Sequence, residues 1–420
     1  MDTKEEVYTP KIGKCGFQNI GNTCYMNSVL QLLLHCKPLI SFLIKRKNFG
    51  KNNEDRAIYE DFFEQATVEN VARKERKRLN IDKNLPIELK KQDIEICKMN
   101  NITGELSKIV GEIVFRGSLT ITPTTLKRNI DKKIDTFRSF TQHDAHEFLT
   151  KILDVIIEET GIETEPEINN VSEKMKEHHI KLEEFRKEIE ATNILEEKKR
   201  IIITRNKYCE ENKETMLEYN GLVYMKRIYK ERYNPFIYQL YTFIINIIQC
   251  TECKNITTSY EHTPIIQLYV YKNLQDSFEN FVKMETIENY KCNICKEERT
   301  INKICKLWRL PTTLFIHLKR FEVTPRGRRK NNTEIDIPTE IDMTEYCDET
   351  LNIEKKIKRK YKLKGFSNHM GNLNMGHYTA DCECIIDNKT WYHFDDSSVK
   401  QNTNNTVDKS NAYILMYELI

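Results

Sequence analysis

The chain contains 420 residues and has a mass of 50.0 kDa, about three times the length of a typical single domain, which predicts two or three lobes with hydrophobic cores. Hydrophobic residues make up 39% and charged residues 31% of the chain, which excludes a fibrous or wholly disordered protein. The 66 lysines and arginines against 63 aspartates and glutamates leave a net charge of +3, which is too small to indicate nucleic acid as the main partner.

The N-terminal sequence, MDTKEEVYTP, has three acidic residues and no apolar segment, so we expect no secretory signal and a cytoplasmic or nuclear location. The most apolar window, residues 236–250, is interrupted by polar residues and is shorter than the roughly 20 residues that span a bilayer, so no membrane segment is predicted. The odd number of cysteines, 13, favours reduced thiols that serve as metal ligands, nucleophile or core residues over a disulfide framework.

The predicted elements change from helix to strand along the chain. Apolar residues recur at helical spacing after Cys24, which predicts a helix that begins near this residue and stops at Pro38; a second helix, in TQHDAHEFLTKILDVIIEE, is predicted from near Thr141. Residues 161–232 are rich in Lys, Glu and Arg, which predicts an insertion of long solvated helices or partly disordered chain. From Pro235 onward, runs such as FIYQLYTFIINII predict a β-rich rear lobe behind a helical front lobe.

Cys24 is a candidate nucleophile. It follows a loop with glycines at positions 13, 16 and 21 and stands at a predicted helix start, where the positive end of the helix dipole favours a thiolate. Acyl transfer also needs donors to the developing oxyanion, and the side chain of Asn19 and the backbone N–H of Cys24 are candidates. A cysteine near a helix start more often packs in the core than acts in catalysis, so both interpretations stay open at this point.

His377 is the candidate base for such a nucleophile. In MGHYTADCEC it follows a glycine at the start of a predicted strand, and a hairpin would bring it to Asp395 and Asp396 of WYHFDDSSV. A thiol nucleophile requires a histidine that acts as base and then as acid, and a carboxylate that fixes the tautomer of that histidine. A lone histidine more often has a structural role, and it is the combination with Cys24 that favours catalysis.

Two CxxC pairs predict a metal site. Four thiolates in two such pairs are typical of a closed tetrahedral site for structural zinc. The interval between the pairs is longer than in common zinc ribbons, but it has room for strands and a short helix that return the second pair to the first. A set of reduced cysteines in a core is the alternative. The predicted ligands are Cys250, Cys253, Cys292 and Cys295.

Six segments resemble the ubiquitin-specific protease family, in the order of that family: GFQNIGNTCYMNSVLQ, QHDAHEF, LPTTLFIHLKRF, GNLNMGHYTA, WYHFDDSSV and AYILMY. The resemblance covers almost the whole chain apart from the charged insertion. It implies that Cys24 is the nucleophile, His377 the general base, Asp395 the orienting acid and Asn19 the side chain of the oxyanion hole.

Other positions match the family pattern less simply. Asp396 corresponds to the second acid of the family, and His369 to a recurring histidine, but the GHY context favours His377 as the catalytic one. The second segment departs from the family because it reads Gln142-His143-Asp144 where two glutamines are usual.

The resemblance implies an α+β fold of the papain-like cysteine peptidase type, within a single catalytic domain over residues 1–420. The expected divisions are a helical thumb with the catalytic cysteine (14–160), the charged insertion (161–232), fingers with a zinc site (233–310) and a palm with the catalytic histidine and aspartate (311–420). The implied reaction is hydrolysis of the bond after the C-terminal glycine of ubiquitin through a thioester intermediate. Zinc would tie together the fingertips that cradle ubiquitin.

The second predicted helix carries an acidic arc. Helical spacing places Asp144, Glu147 and Asp154 on one side, opposite an apolar arc. Such an arc is often no more than a solvated face. The tail of ubiquitin is extended and contains arginine, so the family resemblance implies instead that these carboxylates bind the tail through charge-assisted hydrogen bonds.

Three alternatives to a ubiquitin protease remain. One is a ubiquitin-binding scaffold of the same fold that has lost activity, although the intact Cys24, His377 and Asp395 argue against it. Another is a protease for a different ubiquitin-like modifier. The third is a zinc-ribbon module that binds nucleic acid, which the near-neutral charge disfavours even though KERKR at 74–78 and RGRRK at 326–330 are basic. Ubiquitinated proteins and a regulatory protein are the expected partners.

Overall fold

The chain folds into a helical part followed by two β-sheets. The computed structural model describes residues 13–43, 77, 80, 83, 99–167, 172–324, 327–347, 359–372, 375–386, 388–403 and 407–420. The helices are α1 (Cys24–Leu34), α2 (Lys37–Leu43), α3 (Ile102–Arg116), α4 (Thr124–Lys133), α5 (Ala145–Thr160), α6 (Glu173–Ala191), α7 (Leu195–Glu211), α8 (Lys213–Glu231), α9 (Pro235–Leu240) and α10 (Leu274–Val282).

Two short strands lie among the N-terminal helices, and the other strands follow α9, with α10 inserted among them. They are β1 (Gly16–Phe17), β2 (Thr120–Ile121), β3 (Thr242–Cys250), β4 (Ile256–Thr263), β5 (Ile265–Tyr269), β6 (Glu285–Lys291), β7 (Glu298–Arg309), β8 (Thr313–Lys319), β9 (Phe321–Thr324), β10 (Gly327–Lys330), β11 (Glu340–Asp342), β12 (Lys360–Gly371), β13 (Gly376–Glu383), β14 (Trp391–Asp395), β15 (Ser398–Asn402) and β16 (Ala412–Leu419). The α+β class expected from the sequence is confirmed.

Helix α1 lies at the centre of the helical part. Every residue of α1 is buried, because the helix contacts α5 on one side and strands β12, β13 and β14 on the other. A helix enclosed in this way requires apolar residues on most of its surface, and the run VLQLLL supplies them. Cys24 is the first residue of α1, as the sequence predicts, so the candidate nucleophile stands where the helical part meets the larger sheet.

The larger sheet has eight strands in the order β15-β14-β13-β12-β16-β8-β5, with β11 paired to β12 as well. All neighbouring pairs are antiparallel except β5 and β8, which are parallel. Both faces of the central strands are buried: Phe315 and Ile414 face the core shared with α1, whereas Leu314 and Leu415 face a second core against α10. Double-sided burial explains why the strand sequences TLFIHL and AYILMY are nearly continuous in apolar residues.

The smaller sheet has four antiparallel strands in the order β4-β3-β7-β6. It carries both CxxC pairs at one end. Strand β5 falls within the segment 233–310 that was expected to form the fingers, but it pairs with β8 and belongs to the larger sheet. The segment therefore contributes to both sheets.

The charged insertion forms long helices, which is one of the two forms predicted for it from the sequence. Helices α6, α7 and α8 contact one another, and α7 and α8 both contact β4 of the smaller sheet. The hydroxyl of Tyr260 donates a hydrogen bond to the carbonyl of Leu217, with 2.9 Å between the oxygens, which joins β4 to α8. The insertion is thus docked on the sheet through α7 and α8, whereas much of α6 and α7 is exposed to solvent.

Three predicted boundaries are wrong. Helix α1 ends at Leu34 instead of at Pro38, which lies within α2. Residues 235–240 form helix α9 instead of the start of a strand, because the side chain of Asn234 accepts a hydrogen bond from the N–H of Phe236 and Pro235 occupies the first helical position. Helix α5 begins at Ala145 instead of near Thr141, because the Asp144 side chain caps it.

Within the described ranges, no helix combines the length and the apolar character that crossing a membrane requires. Strands β9 and β10 form a hairpin, which places most of the basic run RGRRK on its second strand. The other basic run, KERKR, lies outside the described residues except for Lys77.

Candidate active site

Cys24 occupies the N-terminal end of α1 and is only 3% exposed. The first N–H groups of a helix have no partner within that helix, and the helix dipole makes this end positive. The backbone N–H of Cys24 and the dipole therefore both favour negative charge at the site of the thiol. This local environment follows from the helix start that the sequence predicts.

Asn19 organises the loop before Cys24. Its side-chain carbonyl accepts hydrogen bonds from the backbone N–H of Gly21 (3.1 Å) and of Thr23 (3.2 Å). Its amide nitrogen donates to Oδ2 of Asp396, with 2.9 Å between the two atoms. An amide nitrogen has two hydrogens, and Asp396 accepts one of them.

His377 and Asp395 meet through the β13–β14 hairpin. Nε2 of His377 lies 2.7 Å from Oδ1 of Asp395, and both side chains are partly exposed. The hydrogen bond of His377 with the Cys24 side chain is the main cause that raises the His377 pKa from its ordinary value of 6.5 to about 9, and the hydrogen bond with Asp395 adds to it. The structure therefore brings together the three residues predicted as nucleophile, base and orienting acid.

His369 lies in a different environment from His377. It is 3% exposed and packs against the rings of Phe321, Tyr378 and Tyr413. Burial lowers its pKa to about 4, so the ring is neutral at ordinary pH. A buried neutral histidine among aromatic rings supports the choice of His377 as the candidate base.

Asp396 connects the strand that carries Asp395 to the segment around Cys24. Its backbone has a φ of 50°, a left-handed conformation that aspartate tolerates better than most residues. Its carboxylate accepts hydrogen bonds from Asn19 and from Nδ2 of Asn27 (2.7 Å), while its carbonyl accepts one from the N–H of Phe17 (2.9 Å). Asn27 is not among the residues predicted from the sequence, although a polar residue within the apolar run of α1 is a visible signal.

His377, Asp395 and Asp396 place one ligand atom each within 4.8 Å of one another, which by itself could suggest a cation site. The carboxylates are engaged otherwise, because Asp395 binds the ring of His377 and Asp396 binds two asparagine amides. These donors offset the negative charge of the two carboxylates, which explains why the three side chains lie together without a metal ion between them.

The carboxylates predicted on one arc of α5 differ in their hydrogen-bond partners. Asp144 is the N-cap: its Oδ1 accepts hydrogen bonds from the N–H groups of His146 and Glu147, and its Oδ2 accepts one from the hydroxyl of Tyr413. Asp154 accepts a hydrogen bond from Tyr241 and lies about 15 Å further along the helix at 1.5 Å per residue. Asp144 and Glu147 lie within one turn of each other, whereas Asp154 lies about two turns beyond Glu147.

The four cysteines of the CxxC pairs converge at one end of the smaller sheet. Their sulfur atoms lie within 4.8 Å of one another, and the sulfurs of Cys253 and Cys292 are 3.7 Å apart. Four sulfurs at about 2.3 Å from a tetrahedral zinc ion would be about 3.8 Å apart. The donor set could therefore hold a metal ion such as zinc.

The two CxxC loops have the same backbone geometry. The N–H of Lys254 donates to the carbonyl of Cys250 (3.1 Å), and the N–H of Lys296 donates to the carbonyl of Cys292 (2.8 Å). Both lysines have a left-handed backbone, with φ of 56° and 62°. The repetition of a tight turn that faces two sulfurs inward is typical of a metal site and is not needed for core packing.

Comparisons with known proteins agree with these observations. A family model described as ubiquitin carboxyl-terminal hydrolase matches residues 15–417. A probable ubiquitin carboxyl-terminal hydrolase R319 of Acanthamoeba polyphaga mimivirus is 26% identical over 96% of this chain and 90% of its own length. Ubiquitin carboxyl-terminal hydrolase Usp2 of Drosophila melanogaster is 26% identical over 97% of this chain, which spans only 35% of that relative.

Solved structures show the same fold. The Ubp8/Sgf11/Sus1/Sgf73 DUB module of SAGA, bound to ubiquitin aldehyde, contains a chain that matches with a TM-score of 0.60 at 21% identity. The match covers 100% of this chain and 72% of the other. The α+β architecture described above is therefore the fold of that chain.

Proposed function

The chain belongs to the ubiquitin carboxyl-terminal hydrolase family and is a cysteine-type deubiquitinase, and we propose that Cys24, His377 and Asp395 form its catalytic triad. One observation carries this proposal: Nε2 of His377 lies 2.7 Å from Oδ1 of Asp395, and interaction first with the Cys24 side chain and then with Asp395 raises the pKa of His377 to about 9. A histidine that is protonated next to a thiol at neutral pH is the partner that stabilises a thiolate.

The proposed reaction proceeds in two halves. The Cys24 thiolate attacks the carbonyl carbon of the last ubiquitin glycine, and the carbonyl oxygen becomes an oxyanion. The bond to the leaving amine then breaks as the His377 imidazolium gives its proton to that amine, which leaves a thioester. His377, now neutral, takes a proton from water as the water attacks the thioester, and the thiolate leaves with the imidazolium restored.

Asn19 and the start of α1 are the proposed oxyanion hole. The backbone N–H of Cys24 is one of the unpaired donors at the helix start, and the second hydrogen of the Asn19 amide is the other proposed donor. Asp396 fixes the orientation of this amide by accepting its first hydrogen. Donors that are held in place before the reaction stabilise the oxyanion without the cost of reorganisation.

Asp144, Glu147 and Asp154 are the proposed contacts for the arginine-bearing tail of ubiquitin, with Asp144 and Glu147 at the start of α5 and Asp154 further along it. A carboxylate has about four acceptor positions, so the capping and Tyr413 hydrogen bonds leave Asp144 able to accept another. The start of α5 also lies near the catalytic strand, because Gln142 binds Gly376. Both features support a tail site at this end of the helix.

We also propose that the four-cysteine cluster, Cys250, Cys253, Cys292 and Cys295, holds a structural zinc ion. Zinc would cross-link β3 to the loop between β6 and β7 and so fix the end of the smaller sheet. The cysteine cluster lies far from Cys24 along the chain and belongs to a separate sheet. Both features favour a structural role for the metal.

A cytoplasmic or nuclear location and a regulatory protein partner remain proposals. The described cysteines are all free, which fits a reducing compartment. The matching chain in the SAGA DUB module was solved together with Sgf11, Sus1 and Sgf73, and the exposed insertion helices give this chain a surface of its own for a partner.

Release of a fluorophore from the C-terminus of ubiquitin tests the proposal. We expect the wild-type protein to release it and the Cys24→Ala and His377→Ala variants to be inactive, whereas His369→Ala, if folded, should keep measurable activity. Turnover that is lost in His369→Ala but kept in His377→Ala would overturn the assignment of the base.

The same assay distinguishes the alternatives. Tight ubiquitin binding without release would indicate a scaffold that is inactive or needs a partner. Neither binding nor release with ubiquitin, together with release from another ubiquitin-like modifier, would change the substrate and keep the chemistry.

A further inference from the structure

Gln142 makes a contact across the cleft between the helical part and the larger sheet. Its side-chain nitrogen donates to the carbonyl of Gly376 (2.7 Å), and its side-chain oxygen accepts from the N–H of the same residue (2.9 Å). One side-chain amide therefore satisfies both backbone groups of a single residue. That residue immediately precedes His377.

Strand pairing explains why the backbone of Gly376 is available. The N–H of Asn372 donates to the carbonyl of Met375. Because hydrogen-bonded and non-hydrogen-bonded pairs alternate between antiparallel strands, the backbone groups of the next pair, Gly371 and Gly376, point away from each other. On the opposite side, the pairing of β13 with β14 begins only at Ala380. Gly376 thus presents a short open edge to the cleft, and the planar amide of Gln142 pairs with it as a neighbouring strand would.

The other side of Gly376 is closed by His369. A Cβ atom at position 376 would lie 2.1 Å from Nε2 of His369 and 2.8 Å from Cε1, so only glycine fits there. The ring of His369 is itself buried and neutral. Gly376 is held between this ring and the amide of Gln142, and the position of the next residue, His377, follows from both contacts.

The segment that carries Gln142 is also tied to the loop of the nucleophile. Two residues before Gln142, the carbonyl of Phe140 accepts a hydrogen bond from the side-chain amide of Asn22 (2.7 Å). Two residues after it, Asp144 caps α5 and binds Tyr413. The segment 140–144 thus contacts the loop that precedes Cys24 and the strand of His377, and it is anchored on a helix.

We propose that Gln142 is a positioning residue that sets the distance between His377 and Cys24 through its two hydrogen bonds with Gly376. The proposal rests on the catalytic roles proposed for Cys24 and His377. A glutamine is suited to this position because its planar amide offers both a donor and an acceptor at every pH of the assay. Glutamate lacks the donor when ionised, and alanine lacks both.

Gln142→Ala and Gln142→Glu test the proposal, with Gln275→Ala as the matched control. Gln275 is an exposed glutamine on α10 whose side chain binds only the Glu279 side chain among the described contacts. For ubiquitin-fluorophore hydrolysis we expect kcat of Gln142→Ala to fall by about tenfold or more, since small misplacements of reacting groups are costly, and KM to change less than about threefold. Gln275→Ala should match the wild type.

A second measurement is independent of ubiquitin. Alkylation of Cys24 by iodoacetamide, followed by mass spectrometry of its peptide between pH 4 and pH 10, reports the thiolate that His377 stabilises. We expect Gln142→Ala to lose alkylation in the acidic part of this range while its melting temperature stays close to that of the control. Alkylation of Cys24 in Gln142→Glu should approach that of the wild type as the pH falls, because the carboxyl of Glu at position 142 regains a proton to donate.

The outcomes separate the possibilities. A rise in KM at unchanged kcat would make Gln142 a substrate contact and overturn the proposal, as would an unchanged alkylation profile in Gln142→Ala. If the ratio of Cys24 alkylation in Gln142→Glu to that in the wild type is the same at all pH values, the proposed role of the Gln142 side-chain donor is overturned. If the wild type fails to cleave ubiquitin but Gln142→Ala still loses acidic alkylation, the positioning role stands and the proposed substrate falls.

Discussion

His377 carries its charge because of its neighbours. The contact with Cys24 is the main cause of the raised pKa, the contact with Asp395 adds to it, and partial burial opposes both. Since the pKa in the folded protein, about 9, lies above the ordinary value of 6.5, the stability that the protonated ring contributes is fully present below about pH 6.5. It is lost as the pH rises through about 9.

This charge state predicts an alkaline limit to activity. We expect kcat/KM of the wild type to fall as the pH rises through about 9, where His377 loses its proton. Asp395→Asn removes one of the causes of the raised pKa, so this limb should move to lower pH and kcat should fall by about tenfold or more. A pH series of ubiquitin-fluorophore hydrolysis measures both effects.

Asp396→Asn is the matched control for this prediction. It alters the hydrogen bonds to Asn19 and Asn27 and leaves the contact between His377 and Asp395 in place. An alkaline limb that moves in Asp396→Asn and stays in Asp395→Asn would show that the orienting acid has been assigned to the wrong aspartate.

At the scale of elements, the start of α5 combines stability with the proposed binding of the ubiquitin tail. Asp144 caps the helix and binds Tyr413, so replacing it with alanine would cost about 1 kcal/mol from the lost cap alone. Asparagine keeps the capping acceptor and removes the charge. Effects on stability and on substrate binding can therefore be separated at this position.

We expect Asp144→Asn to raise KM for the ubiquitin substrate several-fold with kcat within about twofold, because the charge that the arginine-bearing tail would meet is lost. Glu158→Gln, at the exposed far end of the same helix, should leave both constants unchanged. Steady-state kinetics at two salt concentrations provide the measurement. A fall in kcat at constant KM would contradict a binding role for Asp144.

The second element of interest is the pair of CxxC loops. We expect the purified protein to contain about one zinc ion per chain and to melt at a lower temperature after chelation, because the ion would join loops that contribute few other core residues. Ubiquitin hydrolysis should also fall after chelation. Alkylation of Cys24 should not change, since the nucleophile belongs to a different part of the fold.

Cys292→Ser should lose the zinc, and Cys209→Ser, in the insertion, should retain it. Zinc content by elemental analysis and thermal unfolding with and without chelator measure these effects. An unchanged melting temperature after chelation, or zinc retained in Cys292→Ser, would show that the cluster is not the structural metal site.

At the scale of the whole molecule, the insertion is joined to the smaller sheet by a close contact. Gly221 of α8 lies against the buried ring of Trp308 on β7, and a Cβ atom at this position would lie 2.6 Å from the ring. Trp308 in turn packs edge-on against Phe243 of β3 and against Tyr260 of β4. The insertion therefore shares a core with the sheet that carries the cysteine cluster.

Gly221→Ala tests this docking. In an exposed helix the change would stabilise by roughly 0.5–1 kcal/mol, but here the added methyl group would overlap the Trp308 ring. We expect a net loss of about 1–2 kcal/mol in the free energy of unfolding. Val223→Ala, on the exposed side of α8, should cost much less. Denaturant unfolding measures both, and a stabilised Gly221→Ala variant would contradict the contact.

Local patterns in the sequence determined several parts of this protein. The apolar run after Cys24 fixed a helix start at the candidate nucleophile, the alternation after Gly376 placed His377 on a strand, and the repeated CxxC spacing identified four metal-ligand candidates that converge in space. These features depend on the periodicity of helices and strands and on short spacings, which neighbouring residues dictate. The ordered family segments then supplied the fold.

The tertiary structure alone decided the remainder. Asp144 lies beside Tyr413 and serves as a cap, Gln142 binds Gly376, and Gly221 meets Trp308; each pair is far apart in the sequence. No periodicity signals such contacts, because they depend on how whole elements pack and on which backbone groups the strand pairing leaves open. The sequence by itself thus identified the chemical groups of the candidate site, and packing decided which groups hold one another in place.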